Sequence, residues 1–345
     1  MTSLSFMKET LTARLISPSG EAVEKNIEIR THPVTGRISR IALSRIEQKE
    51  PGTDKLPEPP PDARDVENCP FCHPAVQSMT PRLFSGLSQA GRLVNGESVL
   101  FPNLFPYGSY SAVGLFDNSH FVEIGTASQS SYAACLTNCS HYLRQVQSVD
   151  PAAVYQSVTQ NHLPSAGGSL LHPHLQINAD RFPSNHHRFL KERTEVYFQQ
   201  NGRYLFSDYL NDEKRDGSRY IGKTGRWEWV AAFAPEGFYE IWGILPGMTS
   251  LQTPEAGTWE DLSCGILNAQ KFYRSLCRNG YNLGLLSIET RSSRFELRAV
   301  LIVRSNYAAW VRNDLTSFEL MLGDMTTYSL PEDTAAQARP FWETE

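Results

Sequence analysis

Apolar and polar residues alternate along this chain in short blocks. In the first half, apolar runs broken by Gly and Pro over residues 93–123 predict strands and loops, and helical spacing follows over about residues 128–147. Two more strands, AAVYQSVTQN and LLHPHLQIN, are predicted on either side of the small-residue turn SAGGS. This half therefore predicts strands, a helix and two further strands.

The second half has a similar order. WEWVAAFAP and FYEIWGILP predict neighbouring strands, TPEAGTWEDLSCGILNAQKFYRSLCRNG a helix with an acidic start and a Gly stop, and FELRAVLIVRS a last strand. The shared order of strand, strand, helix and strand indicates a repeated α+β unit. We predict two tandem units, residues 1–180 and 181–345, each an open antiparallel sheet with a packed helix.

Two segments outside this repeat have patterns of their own. Residues 1–48 alternate around the turn HPVTGR, which predicts a strand, a turn and a strand. Residues 49–68 are rich in proline and acidic residues and contain few apolar ones, so we expect an exposed connector.

Composition excludes several classes of protein. The chain has 345 residues and a formal net charge of −5, which offers no basic face for nucleic acid. No apolar run approaches the roughly 18–20 residues that span a bilayer, and the N-terminus lacks a basic start followed by an apolar stretch. We therefore expect a cytoplasmic protein that binds neither nucleic acid nor membranes.

The strongest chemical signal is the segment HPHLQ. On a strand, His172, His174 and Gln176 would face the same side. An exposed polar strand face is one interpretation. The glycine turn before it favours another, because glycines let backbone N–H groups approach an anion and a neutral imidazole is a good nucleophile near pH 7.

A second signal is the CxxC turn formed by Cys69 and Cys72, which is half of a tetrahedral zinc site. A redox pair and a pair of packing cysteines are the alternatives. No second CxxC or HxxxH follows, so two more ligands would come from distant histidines. The candidates are His73, His120, His141, His162, His172, His186 and His187.

Together these motifs resemble galactose-1-phosphate uridylyltransferases of the histidine-triad (HIT-like) superfamily. HPHLQ preceded by Asn161 and AGGSL resembles the active-site segment of that family, and CPFC resembles its first zinc pair. The segments THPVTGRISRIALSR, NLFP and LPEDTAAQAR also resemble family segments, in the same order. The resemblance covers nearly the whole chain and implies two tandem HIT-like units.

The resemblance implies a structural zinc ion held by Cys69, Cys72, His120 and His172. It also implies that His174 attacks the α-phosphorus of the substrate, that Gln176 donates to the α-phosphate oxygens, and that Ser169 hydrogen-bonds a phosphate group.

Contacts with the rest of the substrate follow from the same resemblance. They are implied for Asn161 and Gly168 at the phosphates, Arg45 as a nearby charge, Asn103 at the nucleoside and Glu319 at the sugar. A homodimer is also expected, because family members commonly dimerise.

The resemblance implies a nucleotidyltransferase that acts on a nucleoside-diphosphate sugar and a hexose 1-phosphate through a nucleotidyl-histidine. Gln176 favours transfer over hydrolysis, because Gln has no titratable proton for a leaving group. The alternatives are a phosphorylase for an ADP-sugar or dinucleoside polyphosphate, and a zinc-stabilised nucleotide-binding protein without turnover.

The second half departs from the family pattern. Arg298 and Val300 stand where a metal-binding histidine pair would fall, so we expect no second metal and a degenerate second unit. His186 and His187, in SNHHRF, are expected to be solvated.

Overall fold

The computed structural model describes residues 4–43, 55–308 and 313–343. Within these ranges the strands are β1 Met7–Ile16, β2 Ala22–Thr31, β3 Ile38–Ala42, β4 Leu93–Asn95, β5 Ser98–Pro102, β6 Tyr110–Leu115, β7 Tyr155–His162, β8 His174–Asp180, β9 Tyr220–Thr224, β10 Trp227–Ala231, β11 Phe238–Ile244, β12 Gly280–Ile288, β13 Arg298–Arg304 and β14 Met325–Thr327. The α-helices are α1 Ala75–Met79, α2 Gln129–Val149, α3 Asn185–Asn201, α4 Leu205–Asp216, α5 Thr258–Ser275, α6 Pro331–Ala338 and α7 Pro340–Glu343. The predicted α+β class is confirmed.

The larger sheet has a mirrored strand order. Among the described residues it runs β4-β5-β6-β8-β7-β12-β13-β11-β10-β9, so that its second half repeats the first in reverse. The halves join where β7 pairs antiparallel with β12, from His162 opposite Tyr281 to Tyr155 opposite Ile288. The predicted repeat is therefore present, and its two open sheets form one continuous sheet.

The two long central helices cover one face of this sheet. Helix α2 begins at Gln129, after Ser128 accepts a hydrogen bond from the backbone N–H of Ser131. Helices α2 and α5 pack against each other, and their buried side chains share one apolar cluster with the strands. On the opposite face, α3 and α4 pack against strands β9 to β12 of the second half.

A smaller sheet links the two ends of the chain. Its order is β1-β2-β3-β14, and β14 pairs with β3 in parallel, with Met325 opposite Ser39. The predicted turn HPVTGR joins β2 to β3, where the N–H of His32 donates to the carbonyl of Arg37 at 2.8 Å. No helix in the described ranges is long and apolar enough to cross a bilayer.

Helix α6 packs near this smaller sheet through one carboxylate. Glu332 accepts hydrogen bonds from the guanidinium of Arg30 at 2.7 and 3.1 Å and from Arg219 at 2.9 Å. The side chain of Arg30 is 1% exposed, so its buried charge depends on its two carboxylate partners, Glu332 and Glu28.

Candidate functional site

Four predicted ligands meet in one cluster. The ligand atoms of Cys69, Cys72, His120 and His172 all lie within 4.8 Å of one another. Cys72 Sγ is 3.2 Å from His120 Nδ1 and 3.4 Å from His172 Nδ1, and Cys69 Sγ is 3.9 Å from His172 Nδ1. Tetrahedral zinc, with bonds of about 2.3 Å to sulfur and 2.0–2.1 Å to nitrogen, separates these atoms by about 3.6 Å. The cluster could therefore hold a metal ion.

Backbone carbonyls orient both imidazoles of the cluster. His120 Nε2 is 2.9 Å from the carbonyl oxygen of Asp62, and His172 Nε2 is 3.3 Å from that of Asp117. A carbonyl oxygen only accepts, so each Nε2 carries the proton and each Nδ1 presents its lone pair to the cluster. From the seven candidate histidines, the fold brings His120 and His172 to the cysteines.

His174 is the first residue of β8, and its ring is oriented in a similar way. The side chain is buried, and Nδ1 donates to the carbonyl oxygen of His172 at 2.8 Å, which leaves the lone pair on Nε2. Burial lowers the pKa of His174, although the hydrogen bond to His172 acts to raise it. The imidazole is therefore neutral at pH 7, the form in which it is a nucleophile.

Phe71, between the two cysteines, connects the metal cluster to His174. Its ring lies edge-on to the His174 ring, with centroids 5.5 Å apart, and packs on Phe101 at 5.3 Å. The CxxC turn therefore also packs against the candidate nucleophile. This role has no signal in the sequence, because an apolar residue inside a metal loop resembles a simple core residue.

The predicted polar row on β8 is found in part. His174 and Gln176 lie on the strand, whereas His172 precedes it and turns to the metal cluster. Thr159 of β7 pairs with Gln176, and the same register continued along both strands brings Asn161 opposite His174. Opposed residues of an antiparallel pair project to the same face, so the side chains of Asn161 and His174 lie on the same face of the sheet.

The glycine turn forms a tight loop beside Asn161. Leu163 and Gly167 have φ of 73° and 89°, and the N–H of Gly168 donates to the carbonyl of Leu163 at 3.1 Å. A Cβ atom on Gly168 would lie 2.8 Å from the carbonyl oxygen of Asn161 and 3.0 Å from that of Leu163. Only glycine fits this position. Ser169, the next residue, is exposed.

Asn282 of the second half contacts this loop. Its Nδ2 donates to Asn161 Oδ1 at 2.7 Å and to the carbonyl oxygen of Ala166 at 2.8 Å. Its Oδ1 accepts from Arg304 at 2.8 Å. Asn282 was not predicted as a site residue, because its strand β12 was not predicted and the contact crosses between the two halves.

The remaining predicted substrate residues are more scattered. Asn103 follows β5, and its Oδ1 accepts from the N–H of Phe105 at 3.0 Å. The carboxylate of Glu319 accepts four hydrogen bonds, two from the neighbouring Thr316 and two from Thr326 of β14. Partial burial acts to raise the pKa of Glu319, but these bonds lower it to about 2. Arg45 lies outside the described residues.

One expectation about histidines is wrong. His186 is exposed, as predicted, but His187 is buried, with Nε2 3.0 Å from the carbonyl oxygen of Gln156 and Nδ1 2.8 Å from Ser184 Oγ. Because His187 lies in the first turn of α3, its side chain packs against β7 instead of entering solvent.

No family model matches the chain. An uncharacterized protein of Archaeoglobus fulgidus is 25% identical over 342 residues, which cover 98% of this chain and 99% of the relative.

Solved structures share the architecture. An ADP-glucose phosphorylase from Arabidopsis thaliana with bound ADP-glucose has a TM-score of 0.71 at 20% identity, covering 91% of this chain and 98% of its own. A GalT-like protein of Arabidopsis thaliana has a TM-score of 0.68 at 20% identity, covering 90% and 98%. A uridylyltransferase mutant has a TM-score of 0.67 at 16% identity, covering 91% and 97%. The resemblance predicted from the motifs is therefore confirmed for the fold, which this chain shares with the ADP-glucose phosphorylase, the GalT-like protein and the uridylyltransferase.

Proposed function

We propose that this chain is a nucleotidyltransferase that moves a nucleotidyl group from a nucleoside-diphosphate sugar to a hexose 1-phosphate through a covalent intermediate on His174. The observation that carries the proposal is the hydrogen bond from His174 Nδ1 to the carbonyl of His172, at 2.8 Å. It fixes the tautomer that leaves Nε2 as the attacking atom, in a ring that burial keeps neutral.

The chemistry proceeds in two displacements. His174 Nε2 forms a bond to the α-phosphorus, the bond from that phosphorus to its bridging oxygen breaks, and a sugar 1-phosphate leaves with the electron pair. Nδ1 keeps its proton, and the carbonyl of His172 offsets the positive charge that develops on the ring. A second sugar phosphate then attacks the same phosphorus and releases the imidazole.

The residues around His174 take the roles that the resemblance implies. Gln176 donates to the α-phosphate oxygens, and Ser169 and Asn161 hold phosphate groups next to Gly168, whose lack of a side chain allows the close approach. Asn103 is assigned to the nucleoside and Glu319 to the sugar, and Arg45 supplies charge near the phosphates.

The metal cluster would hold a structural zinc ion. Two thiolates and two imidazole Nδ1 atoms are a donor set that zinc prefers, and four protein ligands close the site to water. The bound ion would supply a rigid cross-link between the CxxC turn and the segment before β8. Through Phe71 and His172, this cross-link would orient His174.

The test is covalent labelling with UDP-glucose or ADP-glucose carrying ³²P at the α-phosphate. The wild-type protein should gain label that is stable to alkali and labile to acid, as a phosphorus–nitrogen bond requires, and His174→Ala should gain none. His186→Ala, which removes an exposed imidazole, serves as the matched control and should label normally. Equal labelling of wild type and His174→Ala would contradict the proposal, and nucleotide binding without label would favour a binding protein without turnover.

A phosphorylase is the second candidate. It is supported by the similarity to an ADP-glucose phosphorylase, and an ADP-sugar or a dinucleoside polyphosphate would form the same intermediate on His174. Labelled protein is chased with glucose 1-phosphate, galactose 1-phosphate or inorganic phosphate. Release as a nucleotide sugar identifies a transferase, whereas release as a nucleoside diphosphate identifies a phosphorylase.

We also propose where the protein acts, what it does not bind, how it assembles and where its two units divide. We propose action in the cytoplasm, supported by six free cysteines, and no nucleic-acid or membrane partner, supported by the net charge of −5.

A homodimer is supported by exposed Met7, Leu11 and Leu15 along β1, and light scattering tests it. The mirrored sheet order supports functional units at residues 1–180 and 181–345.

A further inference from the structure

An ion pair in the second half sets the orientation of a series of hydrogen bonds. Arg304, the last residue of β13, binds both carboxylate oxygens of Asp314, with Nε–Oδ2 at 2.8 Å and Nη2–Oδ1 at 2.7 Å. The N–H of Ser305 also donates to Asp314 Oδ2 at 2.8 Å. A two-point contact of this kind fixes the plane of the guanidinium, and Nη1 remains to donate elsewhere.

The guanidinium determines how the amide of Asn282 is oriented. Arg304 Nη1 can only donate, so the Asn282 atom 2.8 Å away is its oxygen, Oδ1. Nδ2 then faces the glycine loop after β7, where it donates to the carbonyl oxygen of Ala166 at 2.8 Å. A carbonyl oxygen can only accept, so this contact independently requires the same orientation.

The amide of Asn282 in turn determines the orientation of Asn161. Since Asn282 Nδ2 donates to Asn161 Oδ1 at 2.7 Å, the Nδ2 of Asn161 points away from it. That Nδ2 lies at the glycine loop, 4.0 Å from the position of a Cβ atom on Gly167, and on the face of the sheet that carries His174. The amide therefore presents N–H donors, and not an oxygen, to an anion at this loop.

We propose that Asn282, oriented by Arg304 and Asp314, is a positioning residue that keeps the N–H groups of Asn161 turned toward the substrate phosphates. The inference rests on the proposed function, since it assumes that phosphates bind beside His174. It makes the first-half phosphate site dependent on β12 and β13 of the second half. Asn282 contacts no reacting atom and acts through Asn161.

The decisive variant is Asn282→Asp, which keeps the shape of the side chain but removes its donor. Its second oxygen would face Asn161 Oδ1, so the amide of Asn161 rotates to donate and turns its oxygen toward the phosphates. We expect the rate of His174 labelling to fall roughly 10- to 100-fold, the effect of losing a hydrogen bond to a charged group. Asn282→Ala leaves the Asn161 amide free to adopt either orientation, so we expect a smaller fall in the labelling rate, roughly 3- to 10-fold.

This order of variants separates positioning from a merely structural role. A structural role predicts that Asn282→Ala, which removes more of the side chain, is worse than the isosteric Asn282→Asp; the inference predicts the reverse. Asn306→Asp is the matched control, because Asn306 donates to the carbonyl of Cys277 at 2.9 Å in the same half and has no hydrogen bond to Asn161. It should label within about twofold of wild type.

A double-variant cycle tests whether Asn282 acts through Asn161. In an Asn161→Ala background, Asn282→Asp should slow labelling by less than about threefold. A full 10- to 100-fold loss in that background, or wild-type labelling by Asn282→Asp alone, would overturn the inference.

ADP affinity, measured by calorimetry, provides a readout that needs no turnover. Asn282→Asp should weaken ADP binding at least about fivefold, while Asn306→Asp leaves it unchanged. A wild-type protein that binds ADP but takes no label contradicts the proposed function, and the affinity ratio then decides the inference. If the wild-type protein binds no ADP, or if Asn282→Asp binds it as tightly as wild type, the inference is wrong.

Discussion

At the scale of single residues, the site depends on groups that have one permitted orientation. The His174 ring has one tautomer because a carbonyl accepts from Nδ1, and the amide of Asn161 has one orientation because Asn282 donates to its oxygen. Gly168 has no side chain because two carbonyl oxygens occupy that space. Each constraint comes from a neighbour and not from the residue's own chemistry.

Gly168→Ala should damage the site and the stability together. The added Cβ would lie 2.8 Å from the backbone oxygen of Asn161, which cannot move without shifting the strand. We expect a loss of about 1–3 kcal/mol in the free energy of unfolding, measured with urea, and loss of His174 labelling. Gly284→Ala, where no atom lies within 4 Å of the new Cβ, is the control, and an equal loss there would contradict this account.

His32 should make stability depend on pH. Burial lowers its pKa from 6.5 to about 4, while Nδ1 accepts from the backbone N–H groups of Val34 and Thr35. The unfolded chain therefore binds a proton at a higher pH than the folded protein does. Its contribution is complete above pH 6.5 and is lost as the pH falls to about 4, a change of about 3 kcal/mol.

The measurement compares wild type with His32→Asn, which retains an acceptor for the turn but does not titrate. Urea unfolding at pH 7 and at pH 4.5 should show a smaller pH effect in the variant. An identical pH effect in both proteins would assign the dependence to other groups.

At the scale of elements, the CxxC turn combines two tasks. Cys69 and Cys72 join the potential metal site, and Phe71 between them packs on the His174 ring. Burial, and then the neighbouring Cys69, raises the pKa of the Cys72 thiol to about 12, so a bound cation is needed to favour the thiolate. The turn is therefore both a cross-link and one wall of the site.

Removal of the metal should thus affect labelling as well as stability. Purified protein should contain about one zinc per chain by mass spectrometry. Cys72→Ser, or prolonged chelation, should lower the melting temperature and slow His174 labelling. Cys264→Ser, a substitution outside the cluster, is the control. Full labelling by a zinc-free protein would show that the metal is dispensable for the site.

The sequence predicted the elements and ligands that carry local signals. HPHLQ and CPFC could be predicted because their residue types and their spacing indicate the same kind of site. The helix around TWEDLSCGILNAQ could be predicted because it has an acidic start and regular apolar spacing. β12 was missed because Gly280, where the strand begins, was interpreted only as the stop of the preceding helix. Asn282 could not be found without β12, since its partner Asn161 is 121 residues away in the chain. A contact between residues so far apart in the chain produces no local sequence pattern from which it could be predicted.

At the scale of the whole molecule, the chain ends are joined by charge as well as by strand pairing. β14 pairs with β3, and Glu332 of α6 binds the buried guanidinium of Arg30 on β2. The residues that build the site lie between these ends. The closure of the smaller sheet therefore holds a large part of the chain in one arrangement.

Glu332→Gln should weaken this closure. It removes one of the two carboxylates that bind Arg30, which is 1% exposed, and leaves Glu28 as its remaining opposing charge. We expect a loss of about 2 kcal/mol in the free energy of unfolding, since Glu332 itself is 26% exposed. Glu24→Gln, which breaks a pair with Arg14 whose side chains are 61% and 82% exposed, is the matched control and should change little. Equal effects in chemical denaturation would show that burial of Arg30 is unimportant.

The mirrored sheet limits how many reactive groups one polypeptide offers. β8 opens with His174 opposite Leu115, and in the second half β13 opens with Arg298 opposite Ile244, so the arginine occupies the mirrored position. A guanidinium keeps its protons and has no lone pair to attack with. Rapid mixing with excess nucleotide sugar should therefore release a burst of one sugar phosphate per polypeptide. If both units carried a nucleophile, the burst would be twice as large.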